Sequence, residues 1–316
     1  MKAGGAEPRK LPLYPDRASP RWWVWVLVGA AIFVLAQAGV ALTPQGGSVA
    51  VWWPAAGVSA WFILRNPRSN WASVALLEFV VTAAANAVAG RDVDVAFAFG
   101  FANAIEILVF AELVYRRQRA PFLLRSVQDA WRFMLAVLGG SALLGVLVAA
   151  AVAPHLDDVA RIASHAAASH AAAILMIAPF AVLPPRIPRD VPWFELVAQA
   201  TILGGVLIFL VLTGAGLPLT FLPVGILAWG AFQFPKRAAY VETIIVAVVL
   251  IGATVLGRGP FSAPDLSPDT RALLALAFVF MTASYTLFLT TVSYQLRANG
   301  LAARNYAELV TSGFVD

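Results

Sequence analysis

The chain of 316 residues contains no cysteine and few charged residues. The absence of cysteine excludes a disulfide framework and any metal or redox site built on thiolates. Charged residues make up only 12% of the sequence and apolar residues make up 60%. A soluble domain is roughly one quarter charged and one half apolar. The composition therefore indicates a membrane protein with little room for a soluble domain.

Ten apolar runs follow one another along the chain. A helix that crosses a hydrocarbon core about 30 Å thick needs roughly 20 residues, so the chain accommodates about ten crossings. The second run is the weakest, because Pro54 and Gly57 interrupt it; a re-entrant segment and an eight-crossing bundle are the alternatives. We predict an all-α polytopic membrane protein. Its helices are expected at residues 21–43, 51–64, 71–89, 93–115, 127–153, 162–183, 194–213, 217–234, 238–256 and 271–296.

The basic residues predict the topology and explain the net charge of +5. If the amino terminus is cytoplasmic, both termini and the basic turns that follow every even-numbered helix lie inside. Of the lysines and arginines, only Arg91, Arg161, Arg258 and Arg271 then lie outside, which is the asymmetry of the positive-inside rule. We therefore expect both termini in the cytoplasm, and nucleic-acid binding is not needed to explain the basic composition.

One pattern occurs twice. The spacing G-x-x-A-W-x5-P, followed by a basic residue, begins at Gly57 and again at Gly225, 168 residues later. Both copies lie on predicted helices that run from outside to inside and end in a basic turn. A parallel internal repeat of four helices around a central pair explains the pattern. Chance is the competing explanation, because alanine, tryptophan and proline are common in this sequence.

Several motifs stand in order along the chain. They are the stretch VWWPAAGVSAWFIL with Pro54 and Gly57, then Asn86, the segment Asn103-Ala-Ile-Glu106, the run from Ile174 to Pro179, and the loop Gly257-Arg258-Gly259-Pro260-Phe261. In order and spacing they resemble the first class of MASE domains, the bacterial membrane-associated sensor domains, from about residue 21 to residue 298.

The resemblance implies an amino-terminal input module in the bacterial inner membrane. In that family the membrane domain is fused to histidine kinase, PAS, diguanylate cyclase or phosphodiesterase output domains. The sequence departs from the family pattern at two positions. His170 stands where an acidic residue is common, and Ala173 stands where a glycine is common.

Polar residues inside predicted helices are the candidates for a stimulus site. A charge at the centre of a membrane helix costs roughly 2.5 to 3.5 kcal/mol, so such a group normally faces protein or water. Asn103 and Glu106 lie one turn apart on nearly the same face of the fourth helix. Asn86, His170 and Glu78 complete the candidate polar core. These residues either bind a ligand or a proton, or only join helices by hydrogen bonds.

Other residues near the membrane have simpler interpretations. His165 and His170 are about 140° apart around a helix, unlike a helical zinc pair, so we predict no metal, and nothing in the sequence predicts a cofactor. Glu112 lies close to Arg116 and is interpreted as an interfacial acid. The loop GRGPF is expected to turn tightly because of its glycines and proline. Its Arg258 either binds an anionic ligand or headgroup or extends to the membrane interface.

The end of the chain has the spacing of a coiled-coil seam. Steps of four and three residues alternate along it, and one asparagine is placed to set the register, although Gly300 weakens the helix. A helix that leaves the membrane on a dimer axis can carry a movement of the bundle to a cytoplasmic partner. The rival interpretation is an amphipathic tail lying on the membrane. The seam residues are Val292, Leu296, Asn299, Ala303, Tyr306 and Val310.

The sequence contains no GGDEF-like or EAL-like run, no nucleotide-binding loop and no nucleophile set, so the chain itself is predicted not to be an enzyme. We expect a cytoplasmic tail at residues 1–20, a membrane sensor domain at 21–296 and a cytoplasmic linker at 297–316. The predicted function is a homodimeric module that detects an unknown stimulus in the lipid membrane and signals to an output domain beyond residue 316. A carrier of a small solute and a scaffold for another membrane protein are the alternatives.

Overall fold

A computed structural model describes residues 19–41, 52–116, 122–153, 158–187, 191–214 and 217–312. Within these ranges the chain forms ten α-helices and three short 3-10 turns and has no strand. One helix lies within or closely overlaps each predicted apolar run, which confirms the all-α prediction. The helices are α1 (Trp22–Ala41), α2 (Pro54–Arg65), α3 (Trp71–Val88), α4 (Val93–Tyr115), α5 (Val127–Val152), α6 (Val159–Ile177), α7 (Trp193–Thr213), α8 (Leu222–Gln233), α9 (Lys236–Val255) and α10 (Pro268–Ser312).

Eight helices of the described chain are long and apolar enough to cross a membrane. An apolar run in hydrocarbon folds as a helix because only its own backbone can satisfy its N–H and C=O groups. The other two helices, α2 and α8, have 12 residues each. At 1.5 Å per residue they are roughly 18 Å long, short of the hydrocarbon core of about 30 Å. The bundle thus combines eight long spans with two short helices.

The short helix α2 lies inside the bundle. Pro54 is its first residue, a position at which the missing N–H of proline costs no hydrogen bond. Most of its residues are buried, and it contacts α1, α4 and α6. A methyl group on Gly57 would overlap the carbonyl oxygen of Ala173 on α6. The backbones of α2 and α6 are therefore in direct contact, and glycine at this position is a packing requirement.

Small residues also set the spacing of the consecutive helices α3 to α6, each of which packs against the next. A methyl group on Gly100 of α4 would lie 2.6 Å from the carbonyl oxygen of Phe79 on α3. One on Gly145 of α5 would lie 3.1 Å from the carbonyl oxygen of Ala163 on α6. Close crossings of this kind stabilise membrane helices through van der Waals contact and lipid exclusion.

The last helix, α10, connects the two parts of the bundle and then leaves it. It contacts α5 and α6 on one side and α8 and α9 on the other. Its 45 residues are roughly 68 Å long, about twice the hydrocarbon thickness. The helix continues without a break through Gly300, and the side chains at residues 299–308 are exposed.

The loop GRGPF ends α9. Gly257 has a φ of 68°, and its N–H bonds to Thr254 O at 3.0 Å while the N–H of Arg258 bonds to Ala253 O at 2.8 Å. This pair of bonds is the Schellman motif, which requires a left-handed residue after the last helical one. Phe261 then packs into the core formed with α7 and α10. The side chain of Arg258 is exposed.

The two halves of the chain share several local features. The helices α2 and α8 have the same length, and α3 ends in the same way as α9, with Gly90 at a φ of 83° and a bond from Arg91 N–H back into the helix. They differ in packing, because Gly57 contacts α6 whereas a methyl group on Gly225 would meet nothing within 4 Å. The internal repeat stays a prediction.

Candidate functional site

Glu106 of α4 lies inside the bundle with 0% exposure. Ser141 of α5 donates a hydrogen bond to its Oε1 at 2.8 Å. The Nδ1 of His170 on α6 lies 2.6 Å from its Oε2. Either distribution of the shared proton, carboxylate with imidazolium or carboxylic acid with imidazole, leaves the pair without net charge. Burial of the pair is therefore tolerable, whereas burial of Glu106 alone as an anion is not.

A second buried carboxyl group, that of Glu78 on α3, belongs to the same site. Thr82 donates to its Oε1 at 2.9 Å, and Ser59 of α2 donates to its Oε2. Glu78 is also in electrostatic range of His170 and Glu106. The hydrogen bonds of Glu78 thus join α2 to α3, and those of Glu106 join α4 to α5 and α6. We call this set the carboxylate centre: Ser59, Glu78, Thr82, Glu106, Ser141 and His170.

Asn86 and Asn103 are buried on α3 and α4. Each side chain donates to a carbonyl four residues earlier in its own helix, Asn86 to Thr82 O and Asn103 to Phe99 O, both at 2.8 Å. Their Oδ1 atoms are buried and have no hydrogen-bond partner among the described residues. A buried unsatisfied polar group costs roughly 1 to 3 kcal/mol. The side chains of Asn86 and Asn103 therefore do not join helices in the described structure. Each has an Oδ1 atom that can accept a hydrogen bond.

Trp53, directly before α2, lies in a parallel, offset arrangement with His170. The two rings are nearly parallel, with an interplanar angle of 6° and centroids 6.3 Å apart. Trp53 is itself buried, and its indole N–H has no acceptor among the described residues. The imidazole thus has a parallel indole ring nearby and a carboxyl group at its edge.

Two further residues named in the sequence analysis lie outside the carboxylate centre. Glu112 of α4 is exposed and pairs with Arg68 at 3.3 Å, rather than with Arg116 on its own helix. The reason is that the turn between α2 and α3 lies beside the end of α4. Pro179 is buried in the 3-10 turn that ends α6.

Ser59, Thr82 and Ser141 were not predicted from the sequence. Thr82 follows Glu78 by four residues, which is the spacing of side chains that meet on one helical face. The sequence spacing alone could therefore have indicated this contact. Ser59 lies within the motif VWWPAAGVSAWFIL and has no spacing relation to Glu78. Ser141 is 35 residues from Glu106, and nothing local connects the two.

A separate buried polar contact lies in the second part of the bundle. Gln199 of α7 donates to the Oε2 of Glu242 on α9 at 3.0 Å. A methyl group on Gly230 of α8 would lie 2.5 Å from the same oxygen, so glycine makes room for the pair. The sequence analysis did not single out these residues. Their contact joins α7 to α9 across α8.

Polar contacts connect α5 and α6, two of the helices that carry the carboxylate centre, to α10. Arg161, at the start of α6, bonds to Asp269 in the first turn of α10 and to Asp158 at 2.5 Å. The hydrogen bond from Arg161 holds the pKa of Asp158 below its ordinary value. At the opposite end of the bundle, Val127 N–H of α5 donates to Gln295 Oε1 of α10 at 3.1 Å.

Fold and site together define a multi-pass, all-α membrane protein whose bundle encloses two carboxyl groups and whose last helix projects beyond it. The MASE1 family model matches residues 21–297, and the chain belongs to the MASE1 family of membrane sensor input domains. Domains of this family are sensory rather than catalytic, and this chain is a membrane sensor module. Comparison with curated proteins and with solved structures gives no significant match.

Proposed function

We propose that the carboxylate centre receives the stimulus and that α10 carries the response to a cytoplasmic output domain beyond residue 316. The output domain would be a histidine kinase, PAS, diguanylate cyclase or phosphodiesterase module. The protein would lie in the bacterial inner membrane as a homodimer with both termini in the cytoplasm, in agreement with the distribution of its basic residues.

One observation carries this proposal: the helices that supply the partners of Glu106 are the helices bonded to α10. Ser141 lies on α5, whose first residue bonds to Gln295 of α10. His170 lies on α6, whose first turn bonds to Asp269 of α10. A change in the bonds of Glu106 would therefore act on two helices that are both bonded to α10.

The chemistry of the site favours a stimulus that offers a hydrogen-bond donor or a proton. The Oδ1 atoms of Asn86 and Asn103 are buried acceptors, and both carboxyl groups of the carboxylate centre are acceptors when ionised. A ligand or proton shifts a conformational equilibrium only if it binds one arrangement more tightly. Here the two arrangements would differ in the hydrogen bonds that Glu106 of α4 makes to Ser141 of α5 and to His170 of α6.

The exposed part of α10 supports a dimeric output. Leu296 is 62% exposed and Tyr306 is 72% exposed in the single chain, and both belong to the predicted seam. Exposed apolar side chains at alternating steps of four and three are buried when two such helices pair. A shift or rotation of α10 would then alter the register of the paired helices.

The experiment is an output assay on the full chain fused to a cytoplasmic enzyme domain. Glu106→Gln removes one of the two carboxyl groups of the carboxylate centre, and we expect it to reduce the change in output on stimulation at least tenfold. Glu112→Gln makes the same chemical change on the same helix at an exposed position, so its output should match that of the unmodified protein. Equal outputs from the two variants would contradict the proposal.

A small-solute carrier is the second candidate, and the shared features of the two halves favour it. Short helices at corresponding positions are typical of transporters built from repeats. In this case α2 and α8 have equal lengths and are each followed by a helix that ends at a left-handed glycine, Gly90 or Gly257. Uptake of labelled solutes into liposomes containing the protein tests this function. Uptake that Glu106→Gln abolishes would support the carrier, and no uptake across a broad panel would contradict it.

A further inference from the structure

A cavity of about 540 Å³ lies at the end of the bundle where α10 leaves it. Its walls come from the end of α2, the segment after α6, the turn between α8 and α9, and one face of α10. None of the residues of the carboxylate centre lines it. Its volume lies within the range of about 300 to 1,000 Å³ that is usual for small-ligand sites.

Among the residues that the structure describes, the cavity is lined by five basic side chains and by no acidic one: Arg65, Arg186, Lys236, Arg237 and Arg297. Basic residues are expected at this end of the helices by the positive-inside rule. That rule does not require them to converge on one concavity, where like charges repel each other. An anion in the cavity would relieve this repulsion.

Lys236 provides the second indication of an anionic ligand. Its ammonium nitrogen is buried, lies 3.7 Å from the ring centroid of Tyr294 on α10, and has no hydrogen-bond acceptor among the described residues. An ammonium group offers three donors, and the tyrosine ring satisfies none of them as an oxygen acceptor would. A buried cation without an acceptor is costly unless an anion reaches it.

The rest of the lining indicates what kind of anion fits. Leu183, Pro184, Ile187 and Phe234 supply apolar surface beside the basic groups. Arginines bind phosphate through paired N–H donors, and lysine binds it as a point charge. We propose that this cavity binds the phosphate group of an organic phosphate, either a soluble phosphate ester or the headgroup of an anionic lipid.

The bound phosphate would contact the helix that carries the signal. Tyr294 and Arg297 are residues of α10, while Arg186 and Arg237 belong to segments outside it. A phosphate that bridges these groups would fix the position at which α10 leaves the bundle. The binding itself does not depend on the proposed sensory function; only its effect on output does.

The test uses the full chain in nanodiscs of phosphatidylcholine. In the first arm, inorganic pyrophosphate is titrated into the sample and the heat of binding is measured. In the second arm, the nanodiscs also contain phosphatidylglycerol, and native mass spectrometry measures how much of it stays bound after release from the nanodisc. The cavity variant is Arg186→Gln with Arg237→Gln, two exposed side chains.

The matched control is Arg125→Gln with Arg304→Gln, which removes the same charge from exposed positions that do not line the cavity. Loss of two charge-assisted phosphate contacts should weaken binding at least tenfold in the cavity variant, and the control should stay within about twofold of the unmodified chain. Saturable pyrophosphate binding with this pattern and no selective phosphatidylglycerol retention would indicate a soluble phosphate, whereas selective phosphatidylglycerol retention would indicate a lipid headgroup. Equal effects of the two variants, or no saturable binding in either arm, would overturn the proposal.

Discussion

The bond between Glu106 and His170 should contribute more to stability than ordinary hydrogen bonds between membrane helices. Its atoms are 2.6 Å apart and both side chains are buried, and the bond joins two charged groups when the shared proton lies on the imidazole. Hydrogen bonds to charged groups contribute roughly 1.5 to 3 kcal/mol, whereas interhelical bonds in membranes average about 0.6 kcal/mol. We expect a coupling energy of about 2 kcal/mol.

A double-mutant cycle measures this coupling energy directly. Glu106→Met and His170→Leu remove the bond without adding a new donor or acceptor, which is the condition under which such a cycle is interpretable. The free energies of unfolding of the four proteins would be measured in bicelles. The control cycle, Arg68→Met with Glu112→Met, breaks an exposed ion pair that includes the same helix, and its coupling should be below about 1 kcal/mol. A coupling of 0.6 kcal/mol or less for the buried pair, or equal values from both cycles, would refute the reasoning.

Three further predictions concern packing, the loop after α9 and the exit helix. Gly57→Ala should destabilise the protein by about 1 to 3 kcal/mol through overpacking, whereas Gly225→Ala, which meets open space, should have little effect on the midpoint of thermal unfolding. Gly257→Ala should cost about 1 kcal/mol because alanine disfavours its positive φ, and the same unfolding assay would measure the loss. Tyr306→Cys on the predicted seam should form disulfide-linked dimers more readily than Arg304→Cys in this cysteine-free chain, and equal cross-linking would argue against the seam.

The sequence predicted the helices well because the membrane imposes a strong pattern. An apolar run of about 20 residues has few alternatives to a helix in hydrocarbon. The boundaries were less predictable at α10, where the predicted run ends at Leu296 but the helix continues to Ser312. Beyond Leu296 the coiled-coil spacing of Asn299, Ala303, Tyr306 and Val310 favoured a continuing helix, whereas Gly300 argued locally for a break.

The candidate site was predictable in part. The inward orientation of Glu106 follows from the cost of a charge in hydrocarbon, whatever the rest of the fold. Its partners depend on which helices cross near it, and that depends on glycine contacts such as that of Gly145 with α6, which have no local signature. His170 shows the difference: the sequence marked it as a departure from the family pattern, and only the structure shows that it faces Glu106.

The coupling between the carboxylate centre and α10 is the central claim, and one distance tests it most directly. Spin labels at Arg125→Cys and Tyr306→Cys, both exposed, would report the position of α10 relative to the start of α5 by electron double resonance. We predict that adding Glu106→Gln changes the distribution of this distance, whereas adding Glu112→Gln leaves it as it is in the labelled parent. Superimposable distributions from all three proteins would contradict the account.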